Sequence, residues 1–182
     1  MGRSKGRAGR GSEYIPCGFN PPSVICGNAN LCIPSPSMYF FGCISSKMHM
    51  SWIRFVCGRL ESRFRYTASI VYNNFPWPSD PTDKQKSAIE EAAQGVLNAR
   101  AAHPDASLAD LYDPVAMPPD LRKAHQALDK AVDAAYGKKS FGSDAERVAF
   151  LFELYNKYTS ILPAPEKPRK QRIKKTIAKK MI

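Results

Sequence analysis

The composition of this 182-residue chain changes between Pro78 and Thr82. Before Pro78 the sequence is interrupted by many prolines, which cannot continue a sheet ladder or the interior of a helix. From Thr82 onwards it is dominated by Ala, Leu, Lys and Glu, which favour helices. We therefore predict an α+β chain, with short strands and one helix in its first part and a small helical bundle in its second.

The second part contains clear helix boundaries. Thr82 and Gln85 form a capping-box pattern that begins a helix, and this helix ends before Pro104. A second long helix is predicted from about Asp120 to a stop at Gly137, and a third from a box at Ser143 and Glu146 to about Ile161. Short connections favour an antiparallel arrangement of these three helices.

The first part is predicted to contain one helix over residues 45–56, started by a serine cap and carrying an apolar stripe. Aromatic and β-branched residues predict strands, and prolines and glycines separate them. The strand candidates are Ser23–Cys26, Met38–Phe41, Ser62–Tyr66 and Ile70–Tyr72.

Charged and aromatic residues alternate in the strand candidate around Phe64. Because side chains of a strand project alternately to its two faces, Glu61, Arg63 and Arg65 share one face, and Phe64 and Tyr66 share the other. Arginine makes bidentate contacts with guanine, and glutamate accepts a hydrogen bond from cytosine, so the charged face suits the reading of base edges. The residues alone favour a solvated face whose Glu and Arg pair with each other.

The net charge of +11 is concentrated in the two termini. Residues 1–12 contribute four positive charges, residues 164–182 contribute eight positive and one negative charge (+7), and the remainder sums to zero (11 − 4 − 7). We expect the N-terminal tail to be disordered and the C-terminal tail to be loose, with a helix over residues 169–181 as the alternative. Basic tails either bind phosphate backbones without sequence preference or remain simply solvated.

Several classes of protein are not indicated by the sequence. No apolar run approaches the length of a membrane span, and no signal peptide is recognisable. Five cysteines without a CxxC pair predict reduced thiols, as in a cytoplasmic protein, rather than a disulfide framework or a zinc site. The Asn20-Pro21-Pro22 run is followed by Ser23, so it lacks the aromatic ring of an adenine methyltransferase loop. We predict no catalytic residues and no metal ligands.

Long segments of the chain resemble one family. The run SSKMHMSWIRFVCGRLESRFRYTASIVYNNFPWP (residues 45–78) and the later LADLYDPVAMPPDLRKAHQALDKAVDAAYG (residues 108–137) are similar to MmeI-like type IIL restriction–modification enzymes. The likeness covers about residues 13–162. It implies a partial target-recognition domain (13–79) and a C-terminal helical domain (80–162), and the two basic tails (1–12 and 163–182) flank these domains.

The resemblance also implies a function. Family members join an endonuclease, a helical spacer, an adenine-N6 methyltransferase that uses S-adenosylmethionine, a recognition domain and a C-terminal helical domain. This chain resembles only the last two. We therefore expect target recognition on double-stranded DNA, no cofactor in this chain, and neither methylation nor cleavage by the chain alone. The alternatives are a helical module that docks on a separately encoded methyltransferase, or an inactive remnant.

The site residues follow from the same resemblance. The residues expected to read bases in the major groove are Glu61, Arg63 and Arg65, with Ala29 across from them. Candidates for phosphate contacts are Lys47, Arg54 and Arg59, for which an ordinary solvated helix face is nearly as good an interpretation.

Overall fold

The computed structural model describes residues 13–27, 31–34, 37–60 and 63–160, with only the backbone of residues 60 and 63. This part of the chain is mostly helical and contains a two-stranded antiparallel sheet, which confirms the α+β class with a helical bundle. The elements are α1 (Met38–Ile44), α2 (Lys47–Val56), β1 (Gly58–Leu60), β2 (Arg63–Arg65), a π-helical turn (Ala68–Tyr72), α3 (Asp83–Ala101), α4 (Leu108–Leu111), α5 (Pro119–Ala135) and α6 (Asp144–Thr159). The two basic tails lie outside the described residues.

Local hydrogen bonds set the helix boundaries, largely as predicted. At the start of a helix, a side-chain oxygen accepts a hydrogen bond from a backbone amide three residues later. The residues that cap a helix in this way include Ser46, Thr82, Ser107 and Ser143. Gly137 ends α5 with φ +76°, a conformation that favours glycine. The capping box expected at Ser143 is incomplete, because the carboxylate of Glu146 accepts from Gly142 N (2.7 Å) instead.

Three of the expected strands are absent from the described residues. Met38–Phe41 begins α1, because Ser37 caps it by accepting from Phe40 N at 3.3 Å. Ile70–Tyr72 lies in the π-helical turn, whose Val71 carbonyl accepts from the indole of Trp52 at 3.0 Å. Around Ser23–Cys26 the chain turns, with Val24 N donating to Pro21 O at 3.0 Å. Tertiary contacts therefore override the strand propensity of these aromatic and β-branched residues.

Helix α2 is surrounded by the rest of the protein. The six consecutive residues from Met48 to Ile53 are all buried, so the helix has no solvated face over this stretch. Two of its polar side chains have hydrogen-bond partners, since Ser51 donates to Asp144 Oδ1 (3.1 Å) and His49 Nε2 lies 3.0 Å from the hydroxyl of Tyr66. The buried Nδ1 of His49 has no hydrogen-bond partner among the described residues. A helix that is buried all round is the centre of a core, and α2 has this role here.

The bundle includes helices from both parts of the chain. Helices α3 and α5 form the largest pairing, and α1 packs on α3. Helix α6, expected to complete a three-helix bundle with α3 and α5, packs chiefly on α2, where Phe152 and Tyr155 contact the ring of Trp52. One apolar cluster therefore runs through both parts, from Tyr14 to Leu151.

The N-terminus of α2 is capped by a carboxylate from α5. Asp129 is buried; its Oδ1 accepts from Lys47 N at 2.7 Å, and its Oδ2 accepts from the hydroxyl of Tyr14 at 2.8 Å. A negative charge is favourable at a helix N-terminus, where backbone amides are unpaired. Burial nevertheless raises the pKa of Asp129 to about 6.

Two histidines are enclosed in this core. His49 and His125 are fully buried, and burial lowers the pKa of each to about 3. The ring of His125 stacks on Tyr14 with centroids 3.9 Å apart, and its Nε2 lies 2.7 Å from the hydroxyl of Tyr112. Both imidazoles are therefore neutral in the fold at neutral pH.

Gly42 allows the close approach of α1 to α3. A Cβ at this position would lie 2.6 Å from Cγ2 of the buried Ile89 and 3.2 Å from Cδ1 of Leu128. We expect Gly42→Ala to lower the free energy of unfolding by about 1–2 kcal/mol, since overpacking outweighs the higher helix propensity of alanine. Gly95→Ala on α3, where nothing lies within 4 Å, is the matched control and is expected to raise it by about 0.5–1 kcal/mol. Chemical denaturation measures both, and equal stabilisation by the two variants would contradict the packing.

The buried histidines predict acid sensitivity. The unfolded chain binds protons at these residues below about pH 6.5, whereas the folded protein resists protonation down to about pH 3, so stability is lost as the pH falls. Asp129 opposes this between about pH 6 and pH 4, because its pKa is raised in the fold. We expect the free energy of unfolding to decrease as the pH is lowered from 7 to 4. The His49→Gln variant should reduce this decrease by ~1 kcal/mol per pH unit. Denaturation at pH 7, 6, 5 and 4 provides the comparison, and identical slopes for both proteins would refute this explanation.

Candidate nucleic-acid interface

The candidate interface is the hairpin of β1 and β2. Its antiparallel register pairs Gly58 with Arg65, Arg59 with Phe64, and Leu60 with Arg63. Because paired residues lie on the same face of a sheet, Arg59 and Phe64 share one face, and residues 63 and 65 belong to the other. The residue directly opposite Arg65 is Gly58, which has no side chain.

The two faces of β2 differ in burial as the alternation predicts. Phe64 and Tyr66 are half-buried and pack against the core, whereas Arg65 is exposed. The guanidinium group of Arg59 lies 4.7 Å from the centroid of the Phe64 ring, a cation–π distance. Of the arginine side chains that the structure describes here, Arg59 therefore lies on the face that aromatic rings anchor, and Arg65 lies on the other face.

Helix α2 anchors the end of the hairpin. The hydroxyl of Tyr66 lies 3.0 Å from Nε2 of His49, and the edge of the His49 ring meets Phe75, with centroids 4.5 Å apart. Burial raises the pKa of Tyr66, so its hydroxyl stays protonated. Through this contact Tyr66, the residue that follows Arg65, attaches the end of β2 to α2.

The expected base-reading residues fall partly within the described structure. Arg65 is exposed on β2, and the backbone of Arg63 lies two residues before it on the same strand. Glu61, Ala29 and the side chain of Arg63 lie outside the described residues. Their role in base reading stays a prediction.

The expected phosphate contacts are in three different environments. Lys47 lies 3.6 Å from a carboxylate oxygen of Glu13, and Arg54 forms an ion pair with Asp144. Arg59, in contrast, is exposed and meets the ring of Phe64. Two of the three cations thus contact carboxylates, and a phosphate would compete with those carboxylates for them.

The N-terminal segment is held against the helical part by residues that the sequence analysis did not select. Arg100 Nη1 donates to Cys17 O at 2.6 Å, and Arg100 Nε donates to the hydroxyl of Tyr112 at 2.7 Å. Asp129, described above, binds Tyr14 from the same segment. The available signal was the four-residue spacing of His125, Asp129 and Asp133, which places three polar residues on one face of α5.

A buried ion pair closes the opposite end of that face. Arg147 Nη2 of α6 lies 3.0 Å from Asp133 Oδ2, and burial raises the pKa of Asp133. Within residues 13–160, apart from the undescribed gaps, no cluster of three or more His, Cys, Asp or Glu is suited to hold a metal ion. None of the described helices is long and apolar enough to cross a membrane.

Comparisons with known proteins agree with the expected family. The family model "MmeI, target recognition domain" matches residues 8–79, and "MmeI, C-terminal domain" matches residues 81–163. "DNA methyltransferase A" of Bacillus subtilis (strain 168) is 40% identical over 146 residues, which cover 80% of this chain and 16% of that relative.

A solved structure is also similar. It is that of the type IIL restriction-modification enzyme MmeI in complex with DNA, with 54% sequence identity and a TM-score of 0.80. The match covers 84% of this chain and 20% of the solved one, so this chain spans a fifth or less of the length of both relatives. The family expected from the sequence is confirmed: the chain belongs to the MmeI family of type IIL restriction–modification enzymes and corresponds to its target-recognition and C-terminal domains.

Proposed function

We propose that this chain recognises double-stranded DNA, as a C-terminal fragment of an adenine-specific (N6) DNA methyltransferase and restriction enzyme. The observation that carries the proposal is the hairpin, which exposes Arg65 on one face while Phe64 and Tyr66 anchor the other. The related MmeI was solved in complex with DNA, which supports DNA as the ligand.

The proposed base readout uses the exposed face of β2. Arg65 and Arg63 would contact base edges in the major groove, with Glu61 and Ala29 completing the set. A bidentate contact of arginine with guanine discriminates against the wrong base by ~1–3 kcal/mol. The anchor at Tyr66 supports this role, because a side chain that reads bases has to be held in a fixed position.

The proposed phosphate contacts are unequal. Arg59 is the strongest candidate, since it is exposed on the same hairpin as Arg65, on the opposite face, where its guanidinium group lies over the ring of Phe64. Lys47 and Arg54 would first have to exchange their carboxylate partners, Glu13 and Asp144, for phosphate. The basic tails would add attraction that does not depend on sequence.

Methyl transfer belongs, in this proposal, to the part of the family polypeptide that this chain does not span. S-adenosylmethionine would bind there, and a separately encoded methyltransferase chain would be the partner. Residues 13–79 would serve recognition and residues 80–162 would support it. The support is physical, because the two parts share one apolar core.

Arg65→Ala tests the readout. Wild-type protein and variants are used to select duplexes from a random DNA library, and affinities for the selected duplex are measured at several salt concentrations. We expect Arg65→Ala to weaken binding to the selected duplex by ~1–3 kcal/mol and to relax one base position. Arg65→Lys should fail to restore specificity, since lysine lacks the bidentate fork.

Lys84→Ala is the control for charge, because Lys84 is exposed on α3 within the helical part. It should leave the selected bases unchanged. If the wild-type chain selects no bases, or if Arg65→Ala and Lys84→Ala behave alike, base readout is rejected. The helical interaction module, or an inactive remnant, then becomes the better interpretation.

A further inference from the structure

Beyond its first turn, α5 exposes only positive charges to solvent. Between residues 121 and 143, the charged side chains that are exposed are those of Lys123, Lys130, Lys138 and Lys139. The acidic residues of this stretch, Asp129 and Asp133, are both buried. Residues 80–163 as a whole carry ten basic and thirteen acidic side chains, a net charge of −3. The positive charge is therefore a local property of this surface.

The two buried acids have partners inside the protein. Asp129 accepts from the amide of Lys47 and from the hydroxyl of Tyr14. Asp133 forms its ion pair with Arg147. Among the residues that the structure describes, none of the four exposed lysines forms an ion pair with a carboxylate. Their charge is therefore available to an anionic partner.

Helical geometry places two of the lysines on one face of α5. Lys123 and Lys130 are seven residues apart, which corresponds to two turns of an α-helix and about 10 Å along its axis. The other residues of this face, Ala127 and Ala134, are also exposed, and their small side chains let a partner approach the helix closely. We call the surface formed by Lys123, Ala127, Lys130 and Ala134 the lysine face.

The turn after α5 adds positive charge at the end of the helix. The amide of Lys138 donates to Asp133 O at 3.1 Å, and Lys138 Nζ lies 5.8 Å from the centroid of the Phe150 ring. Cations also stabilise the C-terminus of a helix, so Lys138 and Lys139 serve the fold itself. Lys123 and Lys130 lie within the helix, and they are therefore the residues to substitute.

We propose that the lysine face contacts the phosphate backbone of the DNA duplex that binds the hairpin. Lysine binds phosphate as a point charge and without reading the sequence. The small alanines leave room for the backbone between the two ammonium groups. The inference rests on the proposed function for DNA as the ligand, and it adds a DNA contact to residues 80–162, which the proposed function uses only as a support.

A duplex held by the hairpin is long enough to reach the lysine face. Lys130 lines the same cavity as Lys47, the first residue of α2. The hairpin begins at Gly58, just beyond the other end of α2, and the ten residues of this helix span about 15 Å. One turn of duplex measures about 34 Å, so the contact would fall on the backbone within about one turn of the bases that Arg65 reads.

The salt dependence of DNA binding by the full chain tests this contact. Affinities of the wild type and of the double variant Lys123→Gln, Lys130→Gln are measured at several salt concentrations. The ligands are a mixed-sequence duplex of about three helical turns and the duplex that the wild type selects. We expect the slope of log affinity against log salt to become shallower by about 1.8, because each phosphate contact contributes about 0.9. The selected bases should stay the same, since phosphate contacts carry no sequence information.

Two further double variants are the controls. Lys84→Gln, Lys157→Gln removes the same charge from exposed positions on α3 and α6, and it should change the slope by less than half as much. Lys123→Arg, Lys130→Arg keeps the charge and should retain the wild-type slope. All three double variants should unfold at the same denaturant concentration as the wild type, because the substituted side chains are exposed.

Each outcome decides the proposal. Equal changes of slope in Lys123→Gln, Lys130→Gln and in the α3 and α6 control overturn it in favour of bulk charge, and an unchanged slope overturns it in favour of a solvated face. If the wild type binds polyglutamate and Lys123→Gln, Lys130→Gln abolishes that binding but not the DNA slope, the partner is an acidic protein and the proposal is overturned.

Failure of the lysine face is distinct from failure of the proposed function. If the wild type binds the mixed-sequence duplex but selects no bases, base readout is rejected, and the slope on that duplex still decides the lysine face. If the wild type binds neither duplex, both proposals are overturned. A wild type that selects bases, with an unchanged slope in Lys123→Gln, Lys130→Gln, overturns the lysine face alone.

Discussion

The burial of helix α2 is the constraint on which the other features depend. Its residues are enclosed by α1 and α5 on one side and by α6 on another, and its first amide is bound by Asp129 of α5. The chain enters the hairpin directly from the end of this helix, and His49 of the helix holds the other strand through Tyr66. The position of Arg65 therefore follows from the packing of α2. The C-terminal helices thus act as the support that orients the hairpin.

The described arginines differ in what they contact. Two of the described arginines contact carboxylates of this chain, Arg54 with Asp144 and Arg147 with Asp133. These pairs join α6 to its neighbours, and a cation used in this way contributes little to attraction of DNA. Arg59 and Arg65, on the hairpin, are exposed. Specific reading would thus depend on few arginines, and the tails would supply attraction without specificity.

The sequence predicted those parts of the fold that local interactions determine. The cap at Thr82 needs only a side chain and the amide three residues later, and it formed as expected. Met38–Phe41 and Ile70–Tyr72 were expected as strands and are helical, because Ser37 and Trp52 supply hydrogen bonds that propensity alone does not reveal. The packing of α6 on α2 could not be predicted from the sequence either, since it depends on contacts between residues about 90 positions apart, such as Arg54 and Asp144.

In the candidate site, the alternation of charged and aromatic residues predicted that Arg65 is exposed and that Phe64 faces the core. It did not predict the role of Asp129, because its partners Tyr14 and Lys47 are remote in sequence.

Native-state hydrogen exchange tests most directly whether the recognition part and the helical part form one folding unit. If α2 is the centre of a shared core, the slowest amides of α2, α3 and α5 open together, with the same free energy and the same dependence on denaturant. The contrary result is an α2 whose amides exchange at low free energy while those of α3 and α5 remain protected. The C-terminal helices would then fold independently, and they could not be the support that positions Arg65.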